Sequence, residues 1–267
     1  MTSTPHEFRK RIQESADVFI DQMQLSQGQA IEISYWDYFW AFDVTFALIF
    51  GHNYGYMKAR SDFNGWLHTF KIIIEGRIEK HDQGSHECGK TFMCKTLAGR
   101  TSKNDVREHA EAVNILFEAF FAATVDVAVT LGTVFYCLMT NRDAYTRLVG
   151  DLRVTCGSKQ SGTSTTYQST LLAVIIKESL RLYPSNSPPM ERVVPLSSLQ
   201  INNYKIPPKT IVGIPQYAAH RDTDVYGDDA EDFRPKRWLE ADVRTLRKMD
   251  QNFIAFGRGP GRVLAES

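Results

Sequence analysis

Apolar residues recur at helical spacing through most of the chain. This spacing predicts helices over Glu7–Met23, Ile31–Gly51, Asp62–Ile78, Glu108–Thr140, Asn141–Leu152 and Leu171–Tyr183. Pro184 ends the last of these, because proline has no N–H to donate and disfavours helical dihedrals at the residue before it. The second segment closes on the dense apolar run Trp40–Gly51, which predicts a buried packing helix.

The longest helical segment also has the most apolar run in the chain. Ala119–Met139 spans 21 residues and carries one charge, Asp126, and about 20 apolar residues suffice to cross a bilayer. A central Asp costs roughly 2.5–3.5 kcal/mol on insertion scales, and no basic cluster flanks one end preferentially. These features favour a buried central helix, with a single-span membrane protein as the alternative.

Two segments lack this periodicity and are predicted to be loops. Lys80–Asp105 is polar and contains glycines, and Gly157–Thr166 is rich in Ser, Thr, Gly and Gln. The first segment contains residue types that bind zinc, namely His81, His86, Cys88 and Cys94. Their spacing matches no complete four-ligand zinc motif, so an exposed loop is the preferred interpretation.

Composition and charge exclude several classes of function. The 31 basic residues balance the 31 acidic ones, which argues against nucleic acid as a partner. Four scattered cysteines are too few for a disulfide scaffold and indicate a reducing compartment. The N-terminal residues contain no apolar anchor segment, so the expectation from this chain alone is a cytoplasmic location.

Three motifs follow one another in the second half of the chain. Glu178 and Arg181 form E-x-x-R on a helix, where a lone pair at i and i+3 is ordinarily a solvated surface pair. Residues 233–238 read F-R-P-K-R-W, and residues 253–260 read F-I-A-F-G-R-G-P. In this order the motifs resemble the cytochrome P-450 family of haem-thiolate monooxygenases. The resemblance is closest to the fungal microsomal type of secondary metabolism, including pisatin-demethylase-like enzymes.

The resemblance implies a fold, a reaction and partners. The expected fold is mainly α, a fragment of the cytochrome P-450 fold with a long central helix and small β elements around Val193–Val212. Residues 1–267 would form one partial domain, truncated at both ends. The implied activity is oxidation of an apolar small molecule with haem, O₂ and NADPH-derived electrons from a cytochrome reductase. Full-length members of this type lie at the endoplasmic reticulum membrane.

The resemblance also assigns residues to roles in the second half. Glu178, Arg181 and Arg237 would form a buried charge cluster that holds the haem-binding loop against the core. Arg192 matches a position where the family presents a donor to a haem propionate. His220 is expected to be structural, in a turn before the F-R-P-K-R-W motif.

The family's haem loop reads F-x-x-G-x-R-x-C, and this chain departs from it. Phe256, Gly259 and Arg262 match or nearly match the pattern and are the candidate cofactor-binding residues, but Val263 occupies the expected cysteine position. Valine cannot bind iron, and the thiolate that favours O–O cleavage is missing from this slot. The preferred hypothesis for this chain in isolation is therefore a catalytically inactive, truncated cytochrome P-450.

The oxygen-activating motif of the family falls on Ala122–Asp126. Its acid position holds Val125 and its threonine position holds Asp126. Asp126 and Thr124 are therefore the candidate catalytic residues, although a shift of one residue along a helix rotates a side chain by about 100°.

Overall fold

The computed structural model describes residues 5–60, 66–84, 91–157, 169–185 and 188–258. It divides into two compact units, residues 1–132 and 133–267. Both are built mainly from helices, which confirms the predicted mainly α fold. The helices of the first unit are α1 Pro5–Leu25, α2 Ile33–Phe50, α3 Tyr56–Ala59, α4 Trp66–Asp82, α5 Phe92–Ala98 and most of α6 Val106–Thr140.

The second unit adds shorter helices and two ribbons. Its helices after α6 are α7 Arg142–Gly157, α8 Thr170–Leu182, α9 Gln216–Ala219, α10 Thr223–Tyr226, α11 Arg237–Glu240 and α12 Val243–Asn252. Strands β1 Met190–Val193 and β4 Ile211–Ile214 pair antiparallel, with Val193 opposite Ile211. Strands β2 Leu199–Ile201 and β3 Tyr204–Ile206 form a second antiparallel pair. These are the small β elements that the sequence predicted, while 157–166, predicted to be a linker, lies almost wholly outside the described residues.

Helix α2 is the centre of the first unit, as its apolar run predicts. Phe42 and Phe46 are buried in one cluster with Tyr56 and Phe120, and the Phe42 ring stacks on Tyr56 with centroids 5.0 Å apart. The helix stops at Gly51, whose left-handed φ of 96° suits a residue without a Cβ.

Asp43 gives the same helix a second, polar function. Its carboxylate accepts the backbone N–H groups of Gly55 at 2.7 Å, Tyr56 at 3.0 Å and Met57 at 3.1 Å, at the start of α3. Burial nevertheless raises the pKa of Asp43 above its ordinary value, against these hydrogen bonds. The carboxylate therefore caps α3 from inside the core.

The prediction of a loop over Lys80–Asp105 is wrong for much of that segment. Helix α4 continues to Asp82, and α5 follows. Thr91 caps α5 by accepting the N–H of Cys94 at 3.2 Å, and Met93, Cys94 and Leu97 are buried at helical spacing. A helix of seven residues, three of them buried, was too short a pattern to stand out from the polar sequence around it.

The same segment contains the residues that raised the zinc alternative. His86 and Cys88 lie outside the described residues, while the Sγ of Cys94 accepts a hydrogen bond from the Thr91 hydroxyl at 3.1 Å. Within the described residues, no group of three His, Cys, Asp or Glu side chains is placed so that it could hold a metal ion.

Helix α6 runs for 35 residues, close to the predicted bounds. The prediction that this helix is buried is wrong for most of its apolar part, because only 22% of its most apolar 18-residue stretch is buried. Phe121, Val127, Tyr136 and Met139 are exposed. By length and composition, it is the one helix in the described part of the chain that could cross a membrane.

Candidate functional site

A buried ion cluster occupies the interior of the second unit. Helix α8 presents Glu178 and Arg181 on one face, and α11 presents Arg237. All three side chains are at most 2% exposed. The structure therefore brings together the three residues that the sequence assigned to one cluster.

Arg181 has a partner for every N–H of its guanidinium group. Nε and Nη2 donate to the two carboxylate oxygens of Glu178, each at 2.9 Å. Nη1 donates to the carbonyl oxygens of His220 at 2.7 Å and Ala230 at 2.6 Å, and Nη2 donates to that of Asp232 at 3.1 Å. This forked geometry joins α8 to the chain before α11, in a way that a lysine could not reproduce.

Arg237 is matched in the same way. Nε donates to Glu178 Oε1 at 2.8 Å, and Nη1 donates to the Tyr226 carbonyl at 2.7 Å and to Asp229 Oδ1 at 2.9 Å. Nη2 donates to the carbonyls of Asp229 at 2.7 Å and Asp232 at 3.1 Å. Burial alone would lower the pKa of Arg237, but Glu178 and Asp229 raise it above the ordinary value, so this cation is firmly charged.

Glu178 is the common acceptor of the cluster. Besides the two arginines, it accepts the backbone N–H of Arg234 at 3.0 Å and the indole N–H of Trp238 at 2.9 Å. The positive charges of Arg181 and Arg237 are balanced by the negative charges of Glu178 and Asp229. Each buried guanidinium N–H also has an acceptor. Burying charges is costly unless they are matched in this way, so the arrangement depends on all of its members.

The chain after α12 is attached to this cluster through one histidine. His220 is fully buried; its Nε2 accepts the N–H of Ile254 at 2.8 Å. Its Nδ1 lies 3.0 Å from the Arg181 carbonyl oxygen, so Nδ1 carries the proton and donates it. Burial lowers the pKa of His220 to about 4. The neutral ring also suits the Ile254 N–H, which needs Nε2 as an acceptor. His220 therefore has the structural placement that the sequence predicted.

Aromatic rings make a second attachment for the same loop. Trp238 contacts Phe253 edge to face at 5.9 Å, and Phe253 contacts Phe256 at 6.3 Å. Lys177 caps the Trp238 ring at 4.1 Å and forms an ion pair with Asp250. Phe256 is thus connected to the ion cluster through the rings of Phe253 and Trp238.

Of the other predicted cofactor-binding residues, only Arg192 lies in the described part of the chain, and it is outside this cluster. Arg192 is exposed on β1, and its Nη1 donates to the Glu191 carbonyl at 2.7 Å. Gly259, Arg262 and Val263 lie outside the described residues. The candidate haem loop is therefore described only as far as Arg258.

The two candidate catalytic residues of α6 have different surroundings. Thr124 is 1% exposed, and its hydroxyl oxygen has no hydrogen-bond partner in the described structure. Asp126 is exposed. Two positions along a helix turn a side chain by about 200°, so the structure does not place Asp126 beside Thr124.

The two cysteines whose side chains the structure describes do not fit the role of a thiolate ligand to haem. In the first unit, the thiol of Cys94 accepts a hydrogen bond from the Thr91 hydroxyl. In the second unit, Cys137 is buried beside Ser179 and Glu178. Burial raises the pKa of its thiol, and the negative charge of Glu178 raises it further. Both effects oppose the thiolate form that binds iron, so neither cysteine is a suitable axial ligand.

Several acceptors in the cluster were not predicted from the sequence. Asp229 and the carbonyls of Tyr226, Ala230 and Asp232 accept six of the guanidinium hydrogen bonds. Backbone acceptors have no sequence signature, and Asp229 stands in an acidic run where no single carboxylate is distinctive. Trp238 was visible as part of the motif but not as a donor to Glu178.

Comparisons with known proteins agree on one family. A family model described as cytochrome P-450 matches residues 59–266. The chain is 32% identical over 202 residues to the cytochrome P-450 monooxygenase esdpH of Penicillium shearii, covering 72% of this chain and 40% of the relative. It is 28% identical over 283 residues to the monooxygenase gsfF of Penicillium aethiopicum, covering 86% of this chain and 56% of the relative.

A solved structure shows the same fold. The crystal structure of the cytochrome P450DA heme domain superposes with a TM-score of 0.74 at 14% identity, covering 95% of this chain and 61% of that one. The chain thus spans about 40% to 56% of the length of the two curated relatives. By its sequence match over most of its length, the chain belongs to the cytochrome P-450 family.

Proposed function

We propose that this chain carries the core of a fungal haem-thiolate monooxygenase of secondary metabolism, of the microsomal, pisatin-demethylase-like type. The reaction would be oxidation of an apolar small molecule with O₂ and electrons from an NADPH-cytochrome reductase at the endoplasmic reticulum membrane. The Penicillium relatives support the reaction class, since they are cytochrome P-450 monooxygenases. The fully matched Glu178–Arg181–Arg237 cluster supports an intact scaffold around the haem loop.

For the 267-residue chain itself we propose that this scaffold is catalytically inactive. The single observation behind this proposal is Val263 in the position where the family motif has cysteine. A valine side chain has no lone pair to give to iron, and Cys137 has a raised thiol pKa. Bound haem would supply oxygen activation in this family, and a chain without the thiolate loses the electron donation that favours O–O cleavage.

The reduced-CO difference spectrum of the haem-reconstituted chain tests this proposal. We expect no thiolate-type band, only a spectrum typical of histidine-ligated or unligated haem. Val263→Cys alone is expected to restore the band incompletely, because Gly261 holds the place of the motif arginine and Arg262 follows one position late. A clean thiolate-type band from the unaltered chain would contradict inactivity and point to another cysteine. Oxidation of a small molecule by the Val263→Cys chain would still support the reaction class.

The competing class of function is a membrane protein held by α6. Its length, its apolar composition and its low burial favour this candidate. Extraction of membranes with alkaline sodium carbonate separates the two hypotheses. We expect the chain in the supernatant; a chain that stays in the pellet, and that leaves it when Val127 and Leu131 are both replaced by Lys, would indicate a spanning helix.

A further inference from the structure

A cavity of about 530 Å³ lies in the second unit, between the start of α7 and the segment 233–236. This volume is within the range of small-molecule pockets, about 300–1,000 Å³. The cavity is bounded by α7 and by the F-R-P-K-R-W motif, so it is separate from the residues that the family resemblance assigned to haem.

The rim of this cavity carries an excess of positive charge. Four cations line it, Arg142, Arg147, Arg234 and Lys236, against one carboxylate, Asp143. Arg234 is already paired with Asp229 at 2.6 Å, and Lys236 lies 3.7 Å from Glu240. In the described part of the chain, neither Arg142 nor Arg147 forms an ion pair with a carboxylate, so these two guanidinium groups are available to a ligand.

Apart from the polar Thr140 and Asn141, the rest of the lining is apolar. Leu171 and Phe233 are partly buried against the core cluster around Ile175, and Pro235 is buried. A simple inorganic anion would leave this wall uncovered, and an uncharged apolar molecule would leave the two arginines unused. The lining therefore matches a molecule with one acidic end and an apolar body.

We propose that this cavity, the α7 cavity, binds an amphipathic organic acid. Its carboxylate lies between Arg142 and Arg147, whose forked donors suit carboxylate oxygens. Its apolar body covers Leu171 and Phe233, and the area that it removes from water strengthens binding. Asp143 offsets part of the positive charge of the rim.

Calorimetric titration of the 267-residue chain with octanoate tests this proposal. Octanol and inorganic phosphate serve as the apolar-only and charge-only probes. We expect octanoate to bind more tightly than either, and to bind several-fold more tightly than hexanoate because of its two additional methylenes. Raising the salt concentration is expected to weaken octanoate binding, since the arginines are exposed and screened by salt.

Paired variants locate the site. The double variant Arg142→Gln/Arg147→Gln is expected to weaken octanoate binding at least tenfold, because hydrogen bonds to charged groups are the stronger ones. Arg153→Gln, which removes an exposed arginine of the same helix outside the cavity lining, is expected to leave it unchanged. Circular dichroism melts establish that both variants fold like the unaltered chain.

Four outcomes would overturn the proposal. Equal affinity for octanol would mean that charge has no part in binding, and phosphate as tight as octanoate would mean that the apolar wall has none. An unchanged affinity in the double variant would place octanoate elsewhere. Tighter binding of a hexaglutamate peptide, displacing octanoate, would make the rim a docking surface for an acidic protein instead.

Discussion

Replacing Glu178 by Gln should strongly destabilise the second unit. Oε1 of Glu178 accepts from Arg181 Nη2, the Arg234 N–H and Arg237 Nε, while Oε2 accepts from Arg181 Nε and Trp238 Nε1. Glutamine has one oxygen, which would take the position with three donors. Its amide group would then face the two donors at the Oε2 position.

The magnitude follows from this geometry. Two hydrogen bonds to the charged carboxylate are lost, each worth about 1.5–3 kcal/mol, and the two guanidinium groups lose the carboxylate that balances them. Removing one partner of a buried ion pair costs about 3–5 kcal/mol. We therefore expect Glu178→Gln to lower the free energy of unfolding of the second unit by about 3–5 kcal/mol.

Native-state hydrogen exchange measures this effect locally, with the first unit as an internal reference. Peptides covering α8 and α12 should lose roughly a hundredfold or more in protection, since about 1.4 kcal/mol corresponds to a factor of ten. The matched control is Glu191→Gln on β1, where the carboxylate is exposed and a change within about 0.5 kcal/mol is expected. A loss below 1 kcal/mol for Glu178→Gln, equal to that of the control, would refute the view that this cluster holds the unit together.

Three further predictions concern buried groups and helix packing. The carboxylate of Asp37 is buried without a hydrogen-bond partner in the described structure, and burial raises its pKa to about 7. Stability should therefore fall as the pH rises from about 4 to 7. In thermal melts at pH 8, Asp37→Asn should remove a loss of stability of up to about 4 kcal/mol. A variant no more stable than the unaltered chain at pH 8 would contradict the burial of Asp37. Nitrogen-15 NMR should show His220 neutral and protonated on Nδ1 down to about pH 4; titration near pH 6.5 would contradict its bond to Ile254. In unfolding experiments Gly132→Ala should destabilise by about 1–3 kcal/mol, since its Cβ would lie 2.9 Å from Asp37 Oδ2, whereas Gly76→Ala, in open space, should stabilise slightly; equal effects would exclude this contact.

The long helices and the charged cluster were within reach of the sequence. Amphipathic spacing located α1, α2, α6 and α8 to within a few residues, because each has at least three turns of regular apolar positions. Glu178 and Arg181 could be singled out only because two more motifs follow them. A single pair at this spacing has no distinctive property.

Burial and short elements were less predictable. The apolar composition of α6 indicated a buried helix, but burial depends on which elements cover it, and that information is not in its own sequence. Helix α12 was missed because it has only 10 residues, and its three apolar positions, Val243, Leu246 and Met249, stand singly among polar residues. The contribution of His220 depends on the Ile254 N–H, 34 positions away in sequence, which no local pattern reveals.

We propose that this chain keeps the cytochrome P-450 scaffold around a haem loop in which Val263 replaces the sulfur ligand. Resonance Raman spectroscopy of the haem-loaded chain, prepared with natural and with sulfur-34 cysteine, tests it most directly. We predict no iron–ligand band that shifts with the sulfur isotope. A sulfur-sensitive iron–sulfur stretching band would contradict the claim, because it would show that one of the four cysteines of this chain binds the iron.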